Sequence, residues 1–264
     1  MRADIHAPSH WHVIAAIARR ETAIASRRKL VRLFFLFSIL PPLVMGVVLV
    51  VRVMVREVSG MDLGWDPVFR TLQAQAFPVG VLALGLGTPA VARDRAEDVL
   101  YLYAVRPVLP WHYAAGKLLT VALSTFLLLA VPGMLLAGLR IGILGEAAPV
   151  GESLLLVAKV FLASLLMGLG FSGLSVGASA AVKRARWALL LAIACFIFPE
   201  IVGLFVWGPN DHALTPDDAA MRVLESLFDG RGAALGLAGA AGLLVYGAIG
   251  YFTTLFRVRT EMTP

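Results

Sequence analysis

Apolar residues in this chain come in uninterrupted blocks, without the alternation of a half-buried strand or the three-to-four spacing of a surface helix. Six blocks stand out, near Leu33–Val51, Phe77–Ala92, Leu118–Leu139, Ser153–Val182, Trp187–Trp207 and Ala233–Phe256. Runs of about 18–25 residues match the ~30 Å hydrocarbon core of a bilayer. Continuous runs predict helices, because a membrane barrel strand would alternate. The expected fold is therefore all-α: a polytopic membrane protein in which 1–264 form a single transmembrane domain. It divides into an amphipathic segment over 1–32, a six-span bundle over 33–256 and a tail over 257–264. The fourth block is long enough to tilt or to project beyond the bilayer.

Composition strengthens this picture. Of the 264 residues, 59% are hydrophobic and 15% charged, against about 45–50% and about 25% in soluble domains. That excludes a soluble enzyme, a nucleic-acid-binding domain and a secreted disulfide scaffold; Cys195 is the single cysteine, so no intrachain disulfide or cysteine metal cluster exists. The net charge of +6 reads as topology. Most basic residues fall on one side of alternate blocks: Arg2, Arg19, Arg20, Arg27, Arg28, Lys29 and Arg32, then Arg93, Arg95, Arg106 and Lys117, then Lys183, Arg184 and Arg186, then Arg257 and Arg259. The positive-inside rule makes this side cytoplasmic. Both termini then lie inside and the number of spans is even. A cleaved signal peptide is not expected, since a long polar and basic stretch precedes the first apolar block and no small-residue cleavage site follows it.

Two segments on the basic side have internal pattern. Across Trp11–Arg32, Trp11, Ile14, Ile17, Ala18 and Ile24 recur at helical spacing while Arg19, Arg20, Arg27, Arg28 and Lys29 fill the remaining surface. This predicts a basic helix lying in the headgroup layer, with Trp11 as interfacial anchor and the basic residues on lipid phosphates. The second segment, 93–117, opens with Arg93, Asp94, Arg95, Glu97 and Asp98 and continues through Val99, Leu100, Tyr101, Leu102 and Tyr103 to Arg106-Pro107 and Pro110. Opposite charges within one or two turns predict a short solvated helix, ended by the prolines. Its aromatic and charged surface suits docking of a soluble partner. On the opposite side, within 208–231, Thr215-Pro216-Asp217-Asp218 is a strong helix start. Met221, Leu224, Leu227 and Phe228 give that helix an apolar face, and Asp229-Gly230 stops it.

The six-span plan, the amphipathic N-terminal helix and the segment after the second block resemble the permease subunit of ABC-2 (type V) ATP-binding cassette exporters. The likeness rests on Asp94, Glu97 and Asp98, on Leu100 and Leu102, on Arg106-Pro107 and Tyr113, and on Gly116-Lys117 opening the next span. It is nearest the branch containing the nitrous-oxide-reductase maturation permease. The family's Gly-Thr pair is absent, and Leu109-Pro110-Trp111 stands where its Ser-Arg pair would be. The resemblance implies a coupling helix with Arg93, Asp94, Arg95, Glu97, Asp98, Leu100, Tyr101, Tyr103, Arg106 and Pro107 docking on a separate ATPase subunit, which would carry ATP and Mg. It also implies a homodimer with a second permease copy in a bacterial inner membrane, and short external helices before the last span.

The chain has no P-loop of its own: Gly116-Lys117 is followed by Leu118 and preceded by Trp111 where the motif needs its first glycine. The other classes weighed are a secondary transporter or channel, which usually shows repeated halves, and a membrane scaffold for an ATPase. Lys159 and Glu200 are ionisable residues near membrane depth, read either as a functional pair or as snorkelling groups near the outer boundary. His6, His10, His12, His112 and His212 read as surface histidines, with no H-E-x-x-H. Gly168, Gly170, Gly173 and Gly177 in the fourth block, and Gly232, Gly236, Gly239, Gly242, Gly247 and Gly250 marking the sixth, suggest close packing between helices.

Overall fold

The computed structural model describes residues 9–59, 66–105, 108–144, 149–206 and 215–262. Ten α-helices follow one another among the described residues: α1 His10–Ser26, α2 Lys29–Phe37, α3 Leu40–Ser59, α4 Pro67–Ala96, α5 Val99–Ala104, α6 Pro110–Leu144, α7 Val150–Ala181, α8 Ala185–Val206, α9 Pro216–Leu224 and α10 Ala233–Met262. A single π turn, Glu225–Asp229, follows α9. No strand occurs among the described residues. Five helical stretches are long and apolar enough to cross a membrane: Val31–Val55, Pro67–Ala96, Pro110–Ile143, Val150–Ala181 and Ala233–Met262. The expected fifth span falls on α8, whose described apolar part is the shorter Ala185–Pro199.

The helices outrun the blocks that predict them. Asp66 caps α4 by accepting from the Val68 N–H at 2.9 Å, with Pro67 pre-set at the first position. At the other end α4 continues through Arg93, Asp94 and Arg95 to Ala96. The solvated helix expected to open at Arg93 is thus the last turn of α4, and the separate short helix is Val99–Ala104. Pro110 opens α6 instead of ending α5, so Trp111–Lys117 are helical. The tail expected from residue 257 is helical to Met262. Conversely, the first block is broken at Ser38-Ile39, because Pro41 and Pro42 bring no N–H donors to the first turn of α3.

Helix α7 is the centre of the bundle and packs against α4, α6, α8, α9 and α10. Residues from Gly170 to Ala180 are buried throughout. Without a hydrophobic difference between lipid and helix, close backbone approach carries such contacts. Gly173 and Gly177 lie directly on Gly247 and Gly250 of α10; a methyl group at Gly177 would come 2.7 Å from the Gly250 Cα. The close packing expected of these glycines is an intrachain seam between α7 and α10. By contrast, Leu43, Val47, Phe198, Phe205, Leu244, Phe252 and Phe256 are exposed on α3, α8 and α10. An apolar surface of this extent belongs to lipid or a partner, not to water.

Helix α9 starts as its sequence predicts, with Thr215 Oγ1 accepting from the Asp218 N–H at 3.0 Å. Its buried side is Ala219, Ala220, Val223 and Leu224, packed on α4, α7 and α10. Of the face expected to be apolar, Leu224 is fully buried while Met221, Leu227 and Phe228 are half-buried. The helix therefore docks into the bundle along its small residues. The π turn then ends in left-handed Gly230, φ 69°.

Candidate functional site

The polar residues concentrate at one end, the basic end, where α1, α4, α5, α6, α7 and α10 meet. Its centre is Lys117, 1% exposed, whose Nζ lies 2.7 Å from Asp94 Oδ2 of α4 and 2.9 Å from Glu21 Oε1 of α1. The Tyr113 hydroxyl donates to the same Asp94 oxygen at 2.7 Å. The Lys117 ammonium also stands 5.3 Å over the Tyr113 ring. One cation and two carboxylates satisfy each other where water scarcely reaches, so each charge needs the others.

Arg95 makes a second clamp from the same last turn of α4. Its Nε donates to Glu261 of α10 at 2.8 Å. Its Nη1 donates to the carbonyls of Ala180 at 2.6 Å and Val182 at 3.2 Å, which lie at the end of α7 and have no intrahelical partner. One turn earlier, Pro89 interrupts the ladder of α4. The Ser179 hydroxyl of α7 fits into that gap, accepting from Val91 N–H and Ala92 N–H, both at 2.9 Å, and donating to Thr88 O at 2.7 Å. The foot of α4 is thus bonded to α6, α7 and α10, and through Lys117 to α1.

Beyond this foot the chain reverses at Asp98, whose φ of 52° is the one left-handed non-glycine among the described residues, a conformation aspartate tolerates better than most. Helix α5 then projects as a knob. Leu100, 3% exposed, anchors it. Tyr103 packs edge-on against Tyr113, centroids 5.2 Å apart, and receives a long 3.5 Å hydrogen bond from Arg20 of α1. Facing outward are Tyr101, Leu102 and Val105, each more than half exposed. Beside them are Asp98 and the exposed Arg93–Glu97 ion pair at 2.8 Å.

The structure therefore divides the residues expected to dock a partner. Asp94, Arg95, Leu100 and Tyr103 point inward and hold the knob, while Arg93, Glu97, Asp98 and Tyr101 form its surface. Arg106 and Pro107 lie outside the described residues. On α1, Ile14, Ile17 and Ala18 are buried, covered by α6; a methyl group at Gly116 would come 2.7 Å from Ile17 Cγ2. Part of the face expected to enter lipid is thus spent on protein. Trp11, 77% exposed, and Ile24 remain on the surface together with Arg19, Arg20, Arg27 and Lys29, and Arg28 reaches the Gly85 carbonyl at 3.4 Å. That carbonyl is the one Pro89 leaves without its helical donor.

The histidines are not all at the surface. His112 is 2% exposed; its Nδ1 accepts from the Leu109 N–H at 3.2 Å, so Nε2 carries the proton and donates to His10 Nδ1 at 2.8 Å. The pair ties the start of α1 to the start of α6. His6 and His212 lie outside the described residues. No group of three or more metal-ligating side chains occurs among the described residues. Lys159 sits under the Phe228 ring, 5.9 Å from its centroid, and the Glu200 side chain lies outside the described residues. Glu21, Glu261 and Ser179 were not legible as site residues. The one usable signal was Glu21, the single acid in the basic stretch 9–32.

No protein-family model and no curated protein sequence matches the chain.

Proposed function

We propose that the chain is the membrane-spanning subunit of an ATP-binding cassette exporter, driven through α5 by a separate ATPase. The observation that carries this reading is the combination at the basic end. A short helix with an exposed aromatic and charged surface projects from a foot that is ion-paired or hydrogen-bonded to three other helices and linked through Lys117 to a fourth. A push on Tyr101 and Leu102 passes through Tyr103 to Tyr113 and α6, and through Asp94 and Lys117 to α1. The Arg95 clamp carries it to α7 and α10. A loop serving only as a connector needs no such anchorage. In this reading the basic end is cytoplasmic, six spans cross a bacterial inner membrane, and two copies enclose the path.

The test is co-expression with a Walker-type ATPase from the neighbouring reading frame, whose absence there would itself count against the reading. Tyr101→Ala and Glu97→Arg are expected to abolish co-purification or stimulated ATP hydrolysis while the chain still inserts and purifies normally. Unchanged assembly and hydrolysis in both variants would refute docking at α5.

A further inference from the structure

The far end of the bundle holds a cavity of about 440 Å³ between the starts of α4 and α7, the end of α6 and the π turn. Its charged groups are satisfied unequally. Arg140 and Asp66 pair across the wall at 2.7 Å, and Asp66 also caps α4. Lys159 has no carboxylate within ion-pair distance among the described residues; its ammonium stands over the Phe228 ring instead.

Depth makes this notable. Val160 packs where a methyl group at Gly133 would lie 2.8 Å from it and 3.2 Å from Leu72. Leu72 is six residues along α4 from Asp66, so the backbone of Lys159 lies about 9 Å inward of the Arg140–Asp66 pair at ~1.5 Å per residue. A cation rooted at that depth is costly unless it reaches outward or something compensates it.

The surroundings indicate what does. Leu155, Leu156 and Phe228 line the cavity, and Leu155 is also 55% exposed on the outside of the bundle. The cavity therefore opens sideways, where acyl chains run. Glu152 shares the Lys159 face of α7, seven residues earlier, which sets its carboxylate about 10 Å further out, at the rim. A half-buried cation below and an exposed carboxylate above mirror a headgroup with phosphate inward and ammonium outward.

We propose that this cavity binds the zwitterionic headgroup of a phosphoethanolamine-bearing amphiphile. Lys159 takes the phosphate, Glu152 the ammonium, and the acyl chains leave past Leu155. The proposal is independent of the ATPase reading, since a headgroup site would serve an exporter, a carrier or a scaffold alike. It is tested on the delipidated full chain in detergent, titrated with short-chain phosphatidylethanolamine, short-chain phosphatidylglycerol and soluble glycerophosphoethanolamine.

Phosphatidylethanolamine is expected to bind most tightly. Lys159→Met should weaken it by about tenfold or more, the scale of a charge-assisted contact, while Lys159→Arg, which keeps the cation, retains it and controls for folding. Glu152→Gln should weaken phosphatidylethanolamine but not phosphatidylglycerol. Unchanged lipid binding by Lys159→Met would mean a merely snorkelling lysine and would overturn the proposal. So would equal binding of the soluble phosphoester, or phosphatidylglycerol matching phosphatidylethanolamine with Glu152→Gln silent. None of these results touches docking at α5.

Discussion

Lys117 keeps its charge at 1% exposure because Asp94 and Glu21 reach its ammonium from two other helices. Removing the cation leaves two carboxylates facing each other around a vacated site. Breaking a buried pair from one side costs about 3–5 kcal/mol. Here the carboxylates retain 17% and 20% exposure, so Lys117→Met should cost about 3 kcal/mol, at the lower end. Asp94→Asn should cost less, about 1–2 kcal/mol, because Glu21 still neutralises the lysine and the Tyr113 hydroxyl can still donate to the amide oxygen. Thermal unfolding in detergent checks the order of the two variants, and a larger loss in Asp94→Asn would contradict the arrangement. Little of this was legible beforehand. A lysine opening an apolar run reads as a topology marker, and nothing in the chain announces that its partners arrive from α1 and α4.

At the scale of helices, legibility depended on what ends an element. Caps are local, and Thr215-Pro216-Asp217-Asp218 announced α9 correctly because the capping bond is made within one turn. The inner ends of α4 and α10 are decided by tertiary pairing: Arg95 and Glu261 neutralise one another, so helix continues through residues that a run of apolar side chains would exclude. The seam between α7 and α10 was readable as glycine enrichment but not as a register. That register places Gly177 against Gly250, backbone to backbone. Neither side has a flexible side chain to move aside, so Gly177→Val should cost at least the ~1–3 kcal/mol typical of overpacking. Gly138→Ala, at a position with nothing within 4 Å of the added methyl, should be neutral by the same melting assay. Equal behaviour of the two variants would mean that the seam is not close-packed.

For the whole molecule, the ion pairs bring the two ends of the described chain to one end of the bundle. Glu21 of α1 and Glu261 of α10 reach the same turn of α4, through Lys117 and Arg95 respectively. The N-terminal helix and the end of the last helix therefore share one end of the bundle. The six-span reading proposed above needs one crossing beyond the five stretches that are long and apolar enough. Helix α8 leaves the basic end just beyond Val182, which Arg95 holds. The chain is next described at α9 and its π turn, where Phe228 meets Phe69 near the start of α4, at the far end. With 22 residues, α8 spans about 33 Å at ~1.5 Å per residue, enough for a bilayer core, whereas α9 is too short. In the six-span reading proposed above, α8 makes the sixth crossing. In a Cys195→Ser background, single cysteines at Arg186 and Glu261 should react with a membrane-impermeant thiol reagent from one side, and cysteines at Glu152 and Asp217 from the other. Labelling of Arg186→Cys and Asp217→Cys from the same side would show that α8 does not cross, and would overturn the six-span reading.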